Sequence, residues 1–571
     1  MDQQVFKPTL VFETITFSDD TTLTFDESEI VVFVGPNNAG KSASLRELEN
    51  LVARNSEGKI IKSATFKKHG NADDLRNYLE KNSLKSGDAH NLTYGGIGYG
   101  IHHSHVVYFD QQTDRHPVAS FLAKRLATET RITAANAAGA ISLFREPPTH
   151  PIHLLLMDEN LSERINALFK HAFGKDLVPF HGGGKNLPLL VGERPALAHG
   201  EHFLSRGYID RLLAQTEQLD LQGDGMRSFA TVLLYVLASD THSIQFLDEP
   251  EAFLHPPQAR LLGEFIAKHR PPNSQLFIAT HSTDMLDGLM QGNSDKVRVV
   301  RIQREGNINN IKELSSERAA SIARDTLARY SGVFSGIFYQ HVIICESDAD
   351  CLFYSSILNT NSVSGDRRAD VLFIHAAGKH RMAKLASTLR SLGVPVSVIA
   401  DIDLLNEEHA LKTLLTTLGG AWADISADWK ALKQAIEERR PPLSAEQVKG
   451  MIEVQLKEVQ GGGPFPKASE RAIKNVFRSL SCWDEIKRGG RSSLPAGQAT
   501  KQYNAISDVC AKYGLWLVNV GELEGFCKSV EASHGPAFVE KVLEERDLEA
   551  DEELEEARRF VSAIWKRARP Q

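Results

Sequence analysis

In the C-terminal half of the sequence, six carboxylates fall just after apolar runs. Glu346 and Asp350 lie in CESDAD after HVIIC, Asp401 and Asp403 form a D-x-D after VPVSVIA, and Glu522 and Glu524 follow GLWLVNV. Short apolar runs bounded by turns read as buried strands. In an open parallel sheet the carboxyl ends of strands converge on one crevice. Carboxylates gathered there repel one another unless divalent cations neutralise them. Hard oxygen donors select Mg²⁺ or Mn²⁺, and two such ions suit in-line attack on a phosphodiester. Glu346, Asp401 and Asp403 are the expected catalytic metal ligands. The nucleophile arises by deprotonation through Glu346 or through a metal-activated water. A basic group should offset charge on the phosphate, and Lys566 in SAIWKRAR is the candidate. The clusters Lys487-Arg488 with Arg491, and Lys566-Arg567 with Arg569, could grip further phosphates.

The N-terminal half carries a second chemistry. IVVFV runs into Gly35-Pro36-Asn37-Asn38-Ala39-Gly40-Lys41-Ser42, a full G-x-x-x-x-G-K-[ST] match between a strand and a helix. Gly35 and Gly40 let the backbone curl so that the N–H groups of Asn37, Asn38, Ala39 and Gly40 converge on a phosphate. The helix that follows adds its positive end. Lys41 reaches the outer phosphates and Ser42 offers a hydroxyl to Mg²⁺. Downstream, IQFL ends in Asp248-Glu249. Asp248 is placed to hold Mg²⁺ opposite Ser42, and Glu249 to orient or deprotonate the attacking water. His281 ends the next strand, where it could hydrogen-bond a γ-phosphate and sense its loss. The expected cofactors are ATP and Mg²⁺ or Mn²⁺.

These groups need strands and helices that alternate, and the sequence supplies them. Residues 8–34 read as three strands, and 243–303 as a strand and helix followed by two further strands. Residues 338–405 repeat that alternation, which argues α/β with parallel sheets. HVVYFD ahead of Gln111 reads as a strand. The expected organisation is an ATP-binding domain at 1–312 with a helical insertion at about 118–220. A helical connector at 313–337 and a second α/β domain at 338–571 follow, the latter with a helical insertion at about 406–510. The 571 residues suffice for roughly three to four domains. Net charge is −8, so nucleic acid would be gripped by local basic patches or metal ions. Five scattered cysteines without a CxxC pair argue for a reducing interior and against a zinc site. With no signal peptide and no run long enough to span a bilayer, a cytoplasmic protein is expected, away from membranes.

GPNNAGKS, LDEPEAFLHP and ATHS together resemble the ABC-type ATPases of the SMC and RecF-like kind. That resemblance implies a dimer or larger homo-oligomer with nucleotide sandwiched between heads. It implies a signature loop, here Gly223 to Ser228, with Ser228 facing a partner's γ-phosphate. It also implies a coupling glutamine, for which Gln111 and Gln112 are candidates. The acids of the second half resemble a Toprim domain. By that resemblance Glu346 is the first-loop glutamate, Asp350 an extra acid, Asp401 and Asp403 the D-x-D, and Glu524 the further acid of two-metal nucleases. Gly378-Lys379 also fits. An ATPase of this type followed by a Rossmann-like Toprim domain resembles the OLD (overcoming-lysogenization-defect) family. The resemblance implies an oligomeric, ATP-regulated, metal-dependent DNA endonuclease, often in anti-phage defence, sometimes with a helicase or a retron reverse transcriptase and its nucleic acid. The alternative is an ATP-gated DNA-binding sensor, or a RecF-like repair ATPase whose Toprim domain docks a partner without cutting.

Overall fold

The computed structural model describes residues 6–54, 56–143, 145–272, 274–306, 308–314, 332–360, 370–438, 444–457, 459, 465–478, 482–532 and 534–568. The chain divides into two compact units, Met1–Thr326 and Leu327–Gln571. Most of the connector expected at 313–337 lies outside the described residues.

The strands of the first unit that position its site are β1 (Thr9–Phe17), β2 (Thr22–Thr24), β3 (Ile30–Val34), β4 (Ile61–His69), β5 (Ala123–Leu126), β6 (Ile244–Asp248), β7 (Gln275–Ala279), β8 (Val297–Glu305) and β9 (Ile308–Leu314). The central sheet runs β9-β8-β3-β7-β6-β5, parallel except for the edge hairpin β8–β9. β3 and β7 are buried along their whole length, as expected for parallel strands covered on both faces. In that core Phe33 stacks on Phe277 with centroids 6.2 Å apart, and Phe246 packs tilted against Phe277 at 5.6 Å. An antiparallel sheet, β2-β1-β4, packs beside it. Gln275 joins the two: its amide donates to the Phe12 and Asp26 carbonyls and accepts from the Phe12 N–H, all within 2.8 Å. Helix α1 (Lys41–Arg54) buries Leu45, Leu48, Leu51 and Val52 at helical spacing. Each leucine contributes about 1.5–3 kcal/mol relative to exposure.

Two expectations change here. The span at 118–220 is mixed rather than helical. After a short helix, Ala119–Leu122, it contributes β5, which pairs with β6 at the sheet edge, and continues with short strands such as Asp176–Pro179 and Leu189–Gly192 among helices. β5 reads AKRL, too short and too charged to show a period. The stretch ahead of Gln111 is a 3-10 helix, His103–Asp110, not a strand. The His102 side chain accepts the Ser104 N–H at its start, which turns the chain into a helical turn.

The second unit is built on a parallel sheet, β11-β10-β12-β13, formed by β10 (His341–Cys345), β11 (Val371–His375), β12 (Val396–Ala400) and β13 (Leu515–Leu517). β10, first in the chain, lies between β11 and β12, so the sheet reverses its winding there. The crevice beyond the carboxyl ends of β10 and β12 is where such folds bind ligands.

Candidate functional site

In the first unit, the loop after β3 wraps around the Lys41 ammonium. Lys41 Nζ donates to the Gly35 and Pro36 carbonyls at 2.8 and 2.9 Å. Gly35 has φ +139°, and a Cβ on it would stand 2.1 Å from the Ile302 carbonyl oxygen of β8. The loop therefore passes too close to the sheet for a side chain. Asn309 Nδ2 donates to the Ala39 carbonyl at 2.6 Å and ties the loop to β9. Asn37 and Asn38 are exposed, and Ser42 is half-buried at the first turn of α1.

β6 and β7 run side by side and bring Asp248, Glu249 and His281 to the same edge. The Asp248 carboxylate has a buried Oδ1 without a hydrogen-bond partner. Glu249 takes a left-handed backbone, φ 48°, and its carboxylate lies 3.3 Å from His281 Nε2. Burial, helped by the Lys41 charge, pulls the His281 imidazole down to about 4, so it is neutral at pH 7. A glycine cradle, an orphaned carboxylate oxygen and a neutral imidazole facing Lys41 fit a nucleotide triphosphate with its cation.

Two residues of this site escaped the sequence reading. Arg131 is fully buried. Its guanidinium donates to the Asp248 and Glu249 carbonyls and to the Ser228 hydroxyl, each at 2.7 Å. Glu251 accepts from the Thr280 hydroxyl at 2.6 Å and the His281 N–H at 3.0 Å, and burial raises its carboxyl. An acid two residues past Asp248-Glu249 was the available signal for Glu251. No local signal marks Arg131. Ser228 departs from expectation: it is fully buried and accepts from Arg131 within its own unit, on the inward face of the helix Asp224–Val232. Gly223 and Asp224, at the start of that helix, are exposed. Gln111 and Gln112 are exposed just past the 3-10 helix.

In the second unit, Glu346 directly follows β10, and Asp401 directly follows β12. Asp401 leads a 3-10 turn, Ile402–Asn406, that carries Asp403. Trp429 Nε1 donates to the Leu405 carbonyl at 2.7 Å and pins that turn. Asp350 sits in the first turn of α2 (Asp348–Thr360), where its carboxylate accepts the Ser347 N–H at 2.9 Å and hydroxyl at 3.0 Å. Glu524 accepts the Gly535 N–H at 2.7 Å. His534 Nδ1 lies 3.4 Å from Glu524 and 3.8 Å from Glu522.

The charges of these acids are crowded. Burial raises Glu346, Asp350 and Glu522, and their carboxylate neighbours raise them further. Asp401 is pushed up to about 8 by burial, against the pull of Lys487. Asp403 Oδ1 is buried without a partner. An all-oxygen donor set with one orphaned oxygen, in which Glu346, Asp350, Asp401 and Glu522 are held above their ordinary range, fits divalent cations.

Among the described residues, the lysines that meet these acids are Lys487 and Lys379, not Lys566. Lys487 Nζ stands 3.0 Å from Asp401 Oδ2 and 3.4 Å from Asp403 Oδ2. Lys379 Nζ is 3.4 Å from Asp403 and 2.7 Å from Glu407. Lys566 is exposed near the end of the helix Glu555–Ala568. The reason is the path of the 406–510 segment. Its helix Cys482–Gly489 packs so closely on the loop before Glu522 that a Cβ on Gly521, φ +106°, would stand 2.0 Å from the Lys487 carbonyl oxygen. That contact seats Lys487 over the D-x-D pair.

Comparison with known proteins finds a related domain in each unit. Residues 125–287 match the model of an AAA domain described as a putative AbiEii toxin of a type IV toxin–antitoxin system. Residues 337–403 match the TOPRIM domain of overcoming-lysogenization-defect-like proteins. The Old nuclease of Escherichia phage P2 is 20% identical over 187 residues, 31% of this chain and 31% of that protein. The match thus spans about a third of the curated relative's length. An SMC head bound to the C-terminal winged-helix domain of ScpA aligns at 11% identity and TM-score 0.33, over 54% of this chain and 99% of that one. The SMC head of Thermotoga maritima aligns at 11% identity and TM-score 0.26, over 54% and 100%. The chain joins an ATPase domain, with its P-loop cradle and Asp248-Glu249, to an OLD-like TOPRIM domain, the combination through which its sequence resembles the OLD family.

Proposed function

We propose that this chain is an ATP-binding and ATP-hydrolysing, divalent-metal-dependent DNA endonuclease. The observation that carries the reading is the meeting of Glu346, Asp401 and Asp403 at the carboxyl ends of adjacent parallel strands, with Lys487 between the two aspartates. Glu346, Asp350, Asp401, Asp403 and Glu524 would hold Mg²⁺ or Mn²⁺. When bound, such ions offset the negative charge of a scissile phosphate and acidify a water for in-line attack. Glu346, raised by burial, is suited to take the proton from that water. Lys487 presents its ammonium to the charge that builds on the phosphate. Its position supports giving it the role first sought at Lys566.

The ATPase domain acts as a regulator in this reading. Lys41 and Ser42 hold the triphosphate and its cation, Asp248 completes the cation site, and Glu249 with His281 addresses the γ-phosphate. Heads pair across nucleotide, through the exposed start of the helix Asp224–Val232 rather than through Ser228, and ATP favours one arrangement of the assembly. The match to the phage P2 Old nuclease supports a place in conflict between cell and phage, as an effector with or without a second defence protein. Measuring ATP turnover and plasmid nicking on two variants tests the division of labour. Asp401→Ala should keep ATP turnover and lose nicking. Lys41→Ala should lose ATP turnover and its control over nicking. Nicking that ignores both substitutions overturns the reading.

A further inference from the structure

His534 lies outside every motif of the sequence. It stands between Glu531 and the start of helix Pro536–Glu545, one residue before Gly535, whose N–H fixes the Glu524 carboxylate at 2.7 Å. Its side chain is 75% exposed, yet its Nδ1 is turned toward the acids, 3.4 Å from Glu524 Oε1 and 3.8 Å from Glu522 Oε1. The three ligand atoms lie within 4.8 Å of one another, a spacing one cation can span. Glu522 and Glu524 are the outer acids of the cluster. Glu524 lies close enough to Asp350 to raise that acid's proton affinity, and Asp403 does the same to Glu522.

The geometry points to His534 as a nitrogen ligand, with Glu522 and Glu524, of a divalent cation at the outer edge of the carboxylate cluster. This assignment rests on the metal-dependent reading above and adds a choice of ion to it. A site made of carboxylates alone serves Mg²⁺ and Mn²⁺ alike, because both accept hard oxygen. An imidazole nitrogen is a softer donor, and Mg²⁺ gains little from it. Of the two ions, His534 therefore favours Mn²⁺. The inner acids, Glu346, Asp401 and Asp403, present oxygen only and carry no such bias. The cluster thus has one position open to either ion and one that selects Mn²⁺. The Gly535–Glu524 hydrogen bond ties the loop that carries His534 to the carboxylate it works with, so ligand and partner are positioned together.

Pulsed EPR on the full-length, nucleotide-free protein with substoichiometric Mn²⁺ tests the assignment. Wild type should give the nitrogen modulation of a directly bound imidazole, and His534→Ala should lose it. Calorimetric titration should show the preference for Mn²⁺ over Mg²⁺ reduced about tenfold or more in His534→Ala. The exposure of His534 keeps the substitution from disturbing the fold, and circular dichroism checks this. Bound Mn²⁺ without nitrogen modulation in wild type, or modulation that survives His534→Ala, overturns the assignment. Failure of wild type to bind Mn²⁺ overturns the metal-dependent reading as well. A protein that gives the nitrogen signal but leaves DNA intact overturns the nuclease reading alone.

Discussion

The Lys487 ammonium lies 3.0 Å from Asp401 Oδ2 and is shared with Asp403 Oδ2 at 3.4 Å. A cation held there serves both to relieve the aspartates and to meet an incoming phosphate. Lys487→Ala should lower plasmid nicking by about 10²–10³-fold, the scale for removing one charge-stabilising donor. Lys487→Arg should recover part of it. Lys566→Ala, at an exposed helix end, is the comparison and should lose far less. A larger loss from Lys566→Ala than from Lys487→Ala contradicts the assignment.

Asp401 holds its proton up to about pH 8 because it is buried. An unfolded aspartate titrates near pH 4. Between those values the folded protein binds the additional proton, so this group's contribution to stability falls as pH rises. Asp401→Asn cannot ionise and escapes that loss. In EDTA, the Tm of Asp401→Asn relative to wild type should climb from pH 5 to pH 8, read by scanning calorimetry. A difference that shrinks over that range contradicts the burial argument. Added Mn²⁺ should favour wild type, because binding to the native carboxylates stabilises it.

Arg131 fastens the backbone of Asp248 and Glu249 from beneath. Arg131→Gln leaves two carbonyls short of donors, at about 1–3 kcal/mol for each group left unsatisfied. The expected result is a lower Tm together with at least a tenfold loss of ATP turnover, since the acids that address the γ-phosphate are no longer held. Stability lost with turnover intact would show that the clamp serves the fold alone.

Gly35→Ala places a Cβ 2.1 Å from the Ile302 carbonyl oxygen at a φ of +139°. The loop must move off the sheet, and nucleotide binding should be lost in a fluorescent-ATP titration. Mn²⁺ binding by the second unit should persist. Retained ATP affinity would mean that the loop tolerates a displacement its packing argues against.

The parts legible in the sequence are those written locally. GPNNAGKS, Asp248-Glu249, Glu346 and the D-x-D all follow apolar strands directly, so strand and functional group are read in one glance. What stayed hidden is contributed from afar. Lys487 reaches Asp403 across 84 residues, and Arg131 reaches Asp248 across 117. The basic helix end that carries Lys566 is visible in sequence, whereas the close approach of Gly521 to Lys487 is not. Ser228 follows the same rule: helical phase turns it inward, and its partner Arg131 lies 97 residues away. β5 joins the central sheet with only four residues, AKRL, whose pairing with β6 and not their composition makes them a strand.

The central claim is that the carboxylate cluster cuts DNA. Supercoiled plasmid incubated with purified protein, ATP and Mn²⁺ gives the most direct measurement. Wild type should convert it to nicked and linear forms, and Asp401→Ala should leave it supercoiled. Cutting by Asp401→Ala at the wild-type rate would contradict the account.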